Sequence, residues 1–215
     1  MATTQLQLYN AALVEHLGER RLASLAEDRE PRRVLDDIWD GGAREYCLEQ
    51  GSWKFALRVA KLVYNPAITP SFGFQYAFEK PTDFVKITKL CSDEHLQAPL
   101  LNYTEEAGMW FADTQEVYIS YVSKDAAYGF DMSRWPETFS KFVAAYLAAS
   151  ASNRLKQSGN DKLAIEKTAR RLLTDARSKD AIQGATQFMP QGGWVSSRGS
   201  RSATLNRGSK VSLYG

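Results

Sequence analysis

The sequence predicts an α+β protein: a helical bundle from the N- and C-terminal helices, a central antiparallel β-sheet domain, and an extended C-terminal tail. Three observations predict it. Apolar residues recur at helical spacing before Gly51 and again from Pro136 to Asp180; the period falls to two between Trp53 and Val122; beyond Asp180 the chain turns Ser- and Gly-rich. The boundaries that follow are 1–52 and 133–180 for the bundle, 53–132 for the β domain and 181–215 for a basic arm.

The first helix is expected from Thr4 to Leu17, where Leu6, Tyr9, Leu13 and Leu17 share a face and Gly18 is placed to end it. Pro31 opens the second, along which Val34, Leu35, Ile38, Trp39, Gly42 and Tyr46 continue one stripe as far as Gly51. Gly41 and Gly42 inside it cost about 1 kcal/mol each against alanine, which points to a kink or a close neighbour. From Trp53, the alternation of Trp53, Phe55, Leu57 and Val59 with Lys54, Ala56 and Arg58 predicts a strand with the first set inward.

Phe72, Phe74, Tyr76 and Phe78 are expected on one side of a further strand, and "LLNYTEEAGMWFADTQEVYISYV" reads as three strands of a meander, with turns around Glu106 to Gly108 and Asp113 to Gln115. Pro66, Pro70, Pro81 and Pro99 fall between the runs. Pro136 begins a third helix with Phe139, Phe142, Val143, Tyr146 and Leu147 on its stripe, and its alanines and serines admit a close neighbour. Asn160 is placed to cap a fourth, whose face is Ile165, Ala169, Leu172, Leu173 and Ala176.

At 215 residues, 44% hydrophobic and 24% charged, the chain can bury a sizeable core and has the composition of an ordinary soluble protein. No apolar run approaches the ~18 residues of a membrane span, and no leader pattern opens the sequence, so a cytosolic site of synthesis is expected. A net charge of +2 does not by itself argue nucleic-acid binding. Cys47 and Cys91 stand in unlike contexts and read as buried thiols.

Phosphate-binding and dinucleotide loops, HExxH, GxSxG and CxxC are all missing, so no catalytic step, cofactor or metal is expected. His16 lies on a helical stripe and reads as a core or interface histidine. Asp36, Asp37 and Asp40, flanked by Arg32, Arg33 and Arg44, read as a solvated ion-pair face rather than a cation site.

The arm holds Arg198, Arg201, Arg207 and Lys210 and no acid, which leaves −2 for residues 1–180. It is too polar to bury a core alone, yet it carries Trp194 and Tyr214. Arginine with aromatics is a typical interface composition, so Trp194, Arg198, Arg201, Arg207, Lys210 and Tyr214 are the candidate partner-binding residues. The same arginines could contact phosphates, the basis of an alternative reading as a small nucleic-acid-binding module with an Arg/Ser/Gly-rich arm.

Five stretches, "LYNAALVEHLGERRLASLAED", "EYCLEQGSWKFA", "YAFEKPTDFVKI", "GMWFADTQEVYISYV" and "WPETFSKFVAAYLAASASNRL", resemble in that order the tail tubular protein A, or head-to-tail adaptor, family of short-tailed bacteriophages. The resemblance covers roughly residues 5–180 and lies in order and spacing rather than in any one motif. It implies a structural virion protein of the tail, assembled in the host cytoplasm into a homo-oligomeric ring that is dodecameric in relatives. The implied partners are the portal protein, the tail nozzle protein (tail tubular protein B) and genomic double-stranded DNA passing unread through the lumen, without membrane contact. DNA must slide through such a ring, and a strongly basic lumen would hold it by counterion release. The basic arm is therefore expected outside the lumen, in an intersubunit or portal groove.

Overall fold

A computed structural model describes residues 3–70, 72–156 and 159–183. The chain starts with α1, Gln5–Ala11, capped by Thr4 in a reciprocal arrangement: the Gln7 amide donates to the Thr4 hydroxyl, and the Gln7 side-chain oxygen accepts from the Thr4 amide. It continues as a π-helical stretch, Ala12–Leu17, and stops at Gly18, whose φ of +62 is the left-handed conformation expected of a terminating glycine.

The second helix is one predicted element in three pieces: α2, Glu30–Ile38, a π-helical stretch, Trp39–Ala43, and α3, Arg44–Glu49. Pro31 stands in its first turn. Of the two glycines only Gly42 is non-helical, at φ +99, so the kink is its work. The bend rotates the stripe, and Tyr46, expected to continue it inward, is 45% exposed.

The next segment departs from the strand expected from Trp53 onward. Trp53 is fully buried, but it enters the core on a 3-10 turn, Lys54–Ala56, and β1 begins only at Leu57 and runs to Val63. Leu57 packs on the helical core as expected, but beyond it the parity is the reverse of that predicted: Arg58, Ala60 and Leu62 face inward at positions paired with Tyr121, Ile119 and Val117, while Val59 and Val63 are exposed. A period-two pattern cannot distinguish a strand from a tight turn that buries one large ring. Here Trp53 is held by the turn and by its Nε1–H donating to the Cys47 carbonyl at 3.2 Å.

The Phe72–Phe78 stripe is corrected too. The strand β2 is only Tyr76–Glu79, because Gly73 turns the chain at positive φ and leaves Phe72 41% exposed. The remaining strands are β3, Phe84–Cys91, β4, Thr104–Glu106, β5, Met109–Ala112, and β6, Glu116–Ser123. The β4–β5 turn is where it was expected, with Ala107 and Gly108 both at positive φ as a two-residue hairpin turn of this hand requires.

The expected single meander is not formed. Between Ala112 and Glu116 the chain changes sheets, giving two antiparallel sheets of order β1-β6-β3 and β2-β5-β4. Their facing sides bury Phe78, Trp110 and Ala112 against Val117, Ile119, Tyr121 and Leu90.

A second 3-10 turn, Met132–Arg134, leads into α4, Glu137–Leu155, preceded by Pro136 as predicted. This helix is buried on most of its circumference and packs on α1 and α2 as well as on α5, Gly159–Ile182. Asn160 lies within α5 rather than capping it. The expected stripe holds: Ile165, Ala169 and Ala176 are buried, and Leu172 and Leu173 pack on the same core. Burying α4 on nearly all sides takes small residues, and Ala145, Ala148, Ala151 and Ser152 let its neighbours approach.

The main core thus joins the N-terminal helices to α4 and α5. Tyr9, Trp39, Trp135, Phe139 and Trp53 form a chain of ring contacts, with Trp135 at 4.9 Å and Trp53 at 4.8 Å from Phe139. Leu57 and Val122 carry that core to the sheet. All the described residues fall in one compact unit.

Candidate interaction surfaces

The six partner-binding candidates of the arm, Trp194, Arg198, Arg201, Arg207, Lys210 and Tyr214, lie outside the described residues. What the described residues bring together instead includes a cleft on the bundle, a groove on the β body and several exposed apolar side chains. Sequence reasoning identified neither concavity.

The first is a cleft of about 330 Å³ on the bundle. Tyr46 of α3 stacks on Tyr146 of α4 with ring centroids 4.6 Å apart and planes 21° from parallel. Phe142, Ala149, Ala169 and Leu173 form the apolar wall, and Lys162, Glu166 and Arg170 of α5 stand at the rim. Burial pushes the Tyr146 hydroxyl above its ordinary pKa, against a smaller lowering by its hydrogen bond with Ser150. The cleft can hold an apolar or aromatic group beside the cations at its rim. Both tyrosines stood on predicted stripes; a stack between helices so far apart in sequence has no local signal.

The second is a groove of about 580 Å³ at the end of the β body, floored by Arg58, Asp83 and Tyr121. Asp83 is the last residue of the β2–β3 turn, within the stretch "KPTDF". It accepts from Arg58 at 2.9 Å, from the Tyr121 hydroxyl at 3.1 Å and from the Ser123 hydroxyl, while its carbonyl accepts the Lys124 amide at 2.8 Å. Burial opposes ionisation of this carboxyl, but the donors from Ser123, Arg58 and Tyr121 outweigh it and hold its pKa below the ordinary value. The Tyr121 hydroxyl is pushed up to about 12, first by burial and then by Asp83. With every partner holding the ionised carboxylate in place, this is a clamp tying β1 and β3 to the end of β6. Arg58, expected to face solvent, is the residue the inverted β1 parity turns into it.

The remaining candidates have structural roles. Both cysteines are buried free thiols, as predicted, and burial pushes the Cys47 thiol far up, which leaves it unreactive. His16 is half-buried with its pKa lowered by that burial. Asp36 accepts from Arg32 and, at 2.9 Å, from the Tyr9 hydroxyl; Asp37 meets Arg154 at 3.4 Å. Among the described residues no group of three or more His, Cys, Asp or Glu side chains is placed to hold a metal, and no helix is long and apolar enough to cross a membrane.

Exposed apolar groups stand on the β body as well as on the helices: Leu101 is 89% exposed, and Val59 and Val63 line the outer side of β1, an edge strand. Unprotected edge strands and exposed aliphatics are features of surfaces that meet other chains. Compared with known proteins, the chain matches no family model and no curated protein.

Proposed function

We propose that this chain is a structural subunit of a bacteriophage tail: a ring-forming head-to-tail adaptor that joins the portal to the tail nozzle and forms part of the channel through which genomic DNA leaves. The observation that supports this best is the way the N-terminal helices and α4 and α5 feed one helical core while the segment between them forms the β body. That is the arrangement the family resemblance implies. The five resembling stretches also fall on structural joints: α1 and its π-helical end, the turn at Trp53, the β2–β3 turn, the β5–β6 sheet change and α4.

Concave surfaces on the bundle and on the β body, and an exposed edge strand, fit a protein that works by contact. The arm from 181 to 215 is assigned to a portal or intersubunit groove, outside the lumen. Deleting residues 185–215 and measuring attachment to purified portal tests that assignment: attachment should fall, and undiminished attachment with undiminished ring formation would overturn it. The alternative, a nucleic-acid-binding module, predicts arm-dependent DNA binding with a steep salt slope, whereas the adaptor predicts little retention of DNA.

A further inference from the structure

The two glycines of the second helix have different fates. Gly42 makes the kink, but Gly41 is helical and exposed, and a Cβ placed on it would meet nothing within 4 Å. A glycine inside a helix costs about 1 kcal/mol against alanine, and no contact with a described residue uses the missing side chain. A body approaching the backbone from outside would use it. Beside it Asp40 is exposed and makes no ion pair with a described residue, and Asp37 meets Arg154 with both side chains mostly in water.

A complementary face lies on α5. Leu163 is 65% exposed, and Lys167, Arg170 and Arg171 are exposed and make no ion pair with a described residue. Their spacing of four, seven and eight places them on one face, opposite the buried Ile165, Ala169 and Ala176.

We propose that the Asp37, Asp40 and Gly41 face of one copy seats the Leu163 to Arg171 face of α5 from a second copy. This rests on the ring reading above. A ring generated by rotation needs a heterologous contact, two different patches of one chain that complement each other. The bundle is divided that way: residues 1–52 hold ten acidic residues against six arginines, and residues 133–180 hold ten basic residues against five acidic. Gly41 lets the incoming helix lie close, and the desolvated Lys167, Arg170 and Arg171 meet Asp37 and Asp40.

The test uses the full chain, alone and assembled on portal, with ring formation read by sedimentation velocity and native mass spectrometry. The triple variant Lys167→Glu, Arg170→Glu, Arg171→Glu and the double variant Asp37→Lys, Asp40→Lys should each weaken assembly by about a hundredfold, and combining them should recover most of it. Gly41→Leu should also block assembly while its thermal midpoint stays at or above that of the wild type, which separates this effect from misfolding. Rings that form normally in all these variants would overturn the interface and leave the ring reading standing. A wild-type chain that forms no ring in either condition would overturn both. DNA binding lost in the triple variant, with rings intact, would assign the α5 face to phosphates and overturn the proposal.

Discussion

Replacing Trp53 by alanine should cost the folded monomer about 4 kcal/mol. The indole is 1% exposed and touches Phe139 edge-on at 4.8 Å and Phe55 at 6.3 Å. Truncating so large a buried ring costs about 3–5 kcal/mol through lost transfer energy and the cavity left behind. Its Nε1–H donates to the Cys47 carbonyl, so roughly 1 kcal/mol of that loss is the hydrogen bond. The packing is tight enough that a Cβ on Gly51 would come within 2.7 Å of the ring, leaving little slack for the site to collapse harmlessly. For a chain of this size the thermal midpoint should fall by about 8–16 °C. Urea titration followed by helical circular dichroism measures the loss, and Trp53→Phe, which keeps much of the ring and drops the donor, should cost about 1–2 kcal/mol. A Trp53→Ala monomer of near wild-type stability that only fails to assemble would refute the reasoning and make Trp53 an interface residue.

Gly42→Ala should destabilise by about 1–2 kcal/mol, because φ +99 strains any residue with a Cβ; Gly41→Ala should be neutral or stabilising by up to about 1 kcal/mol, and equal effects in thermal melts would contradict the division of roles. Asp83→Asn should cost about 1–2 kcal/mol at neutral pH, on the low side because the groove keeps the carboxylate near water. Since the folded-state pKa of Asp83 is depressed, its contribution is present above the ordinary carboxylate value and is lost as pH falls through the lower folded value. The difference between wild type and Asp83→Asn in chemical unfolding should therefore shrink below about pH 4, and a gap that widens on acidification would contradict the clamp.

Local chemistry made much of this fold legible. Gly18 and the Ala107–Gly108 turn adopt the positive φ that their positions in the sequence call for, and Pro31 and Pro136 stand where helices start. The Ile165 to Ala176 stripe is the buried face of α5 because a 3.6-residue period has only one way to meet a core. What failed was decided at long range. The sheet change between Ala112 and Glu116 depends on which strands pair, and hydrophobic alternation is the same in either sheet. The parity of β1 depends on Tyr121, Ile119 and Val117 across the sheet, and a turn holding Trp53 imitates a strand locally. Of the interaction surfaces, the Asp83 clamp left a trace in the sequence, a Pro-x-Asp after an aromatic strand, whereas the Tyr46–Tyr146 cleft left none.

The central claim is that this chain works as a closed ring on a portal. Electron microscopy of the full chain mixed with purified portal tests it most directly. The mixture should show a ring of adaptor subunits stacked coaxially on the portal, with an open lumen wide enough for duplex DNA. Particles of bare portal, with the chain left monomeric or bound to DNA through its arm, would contradict it.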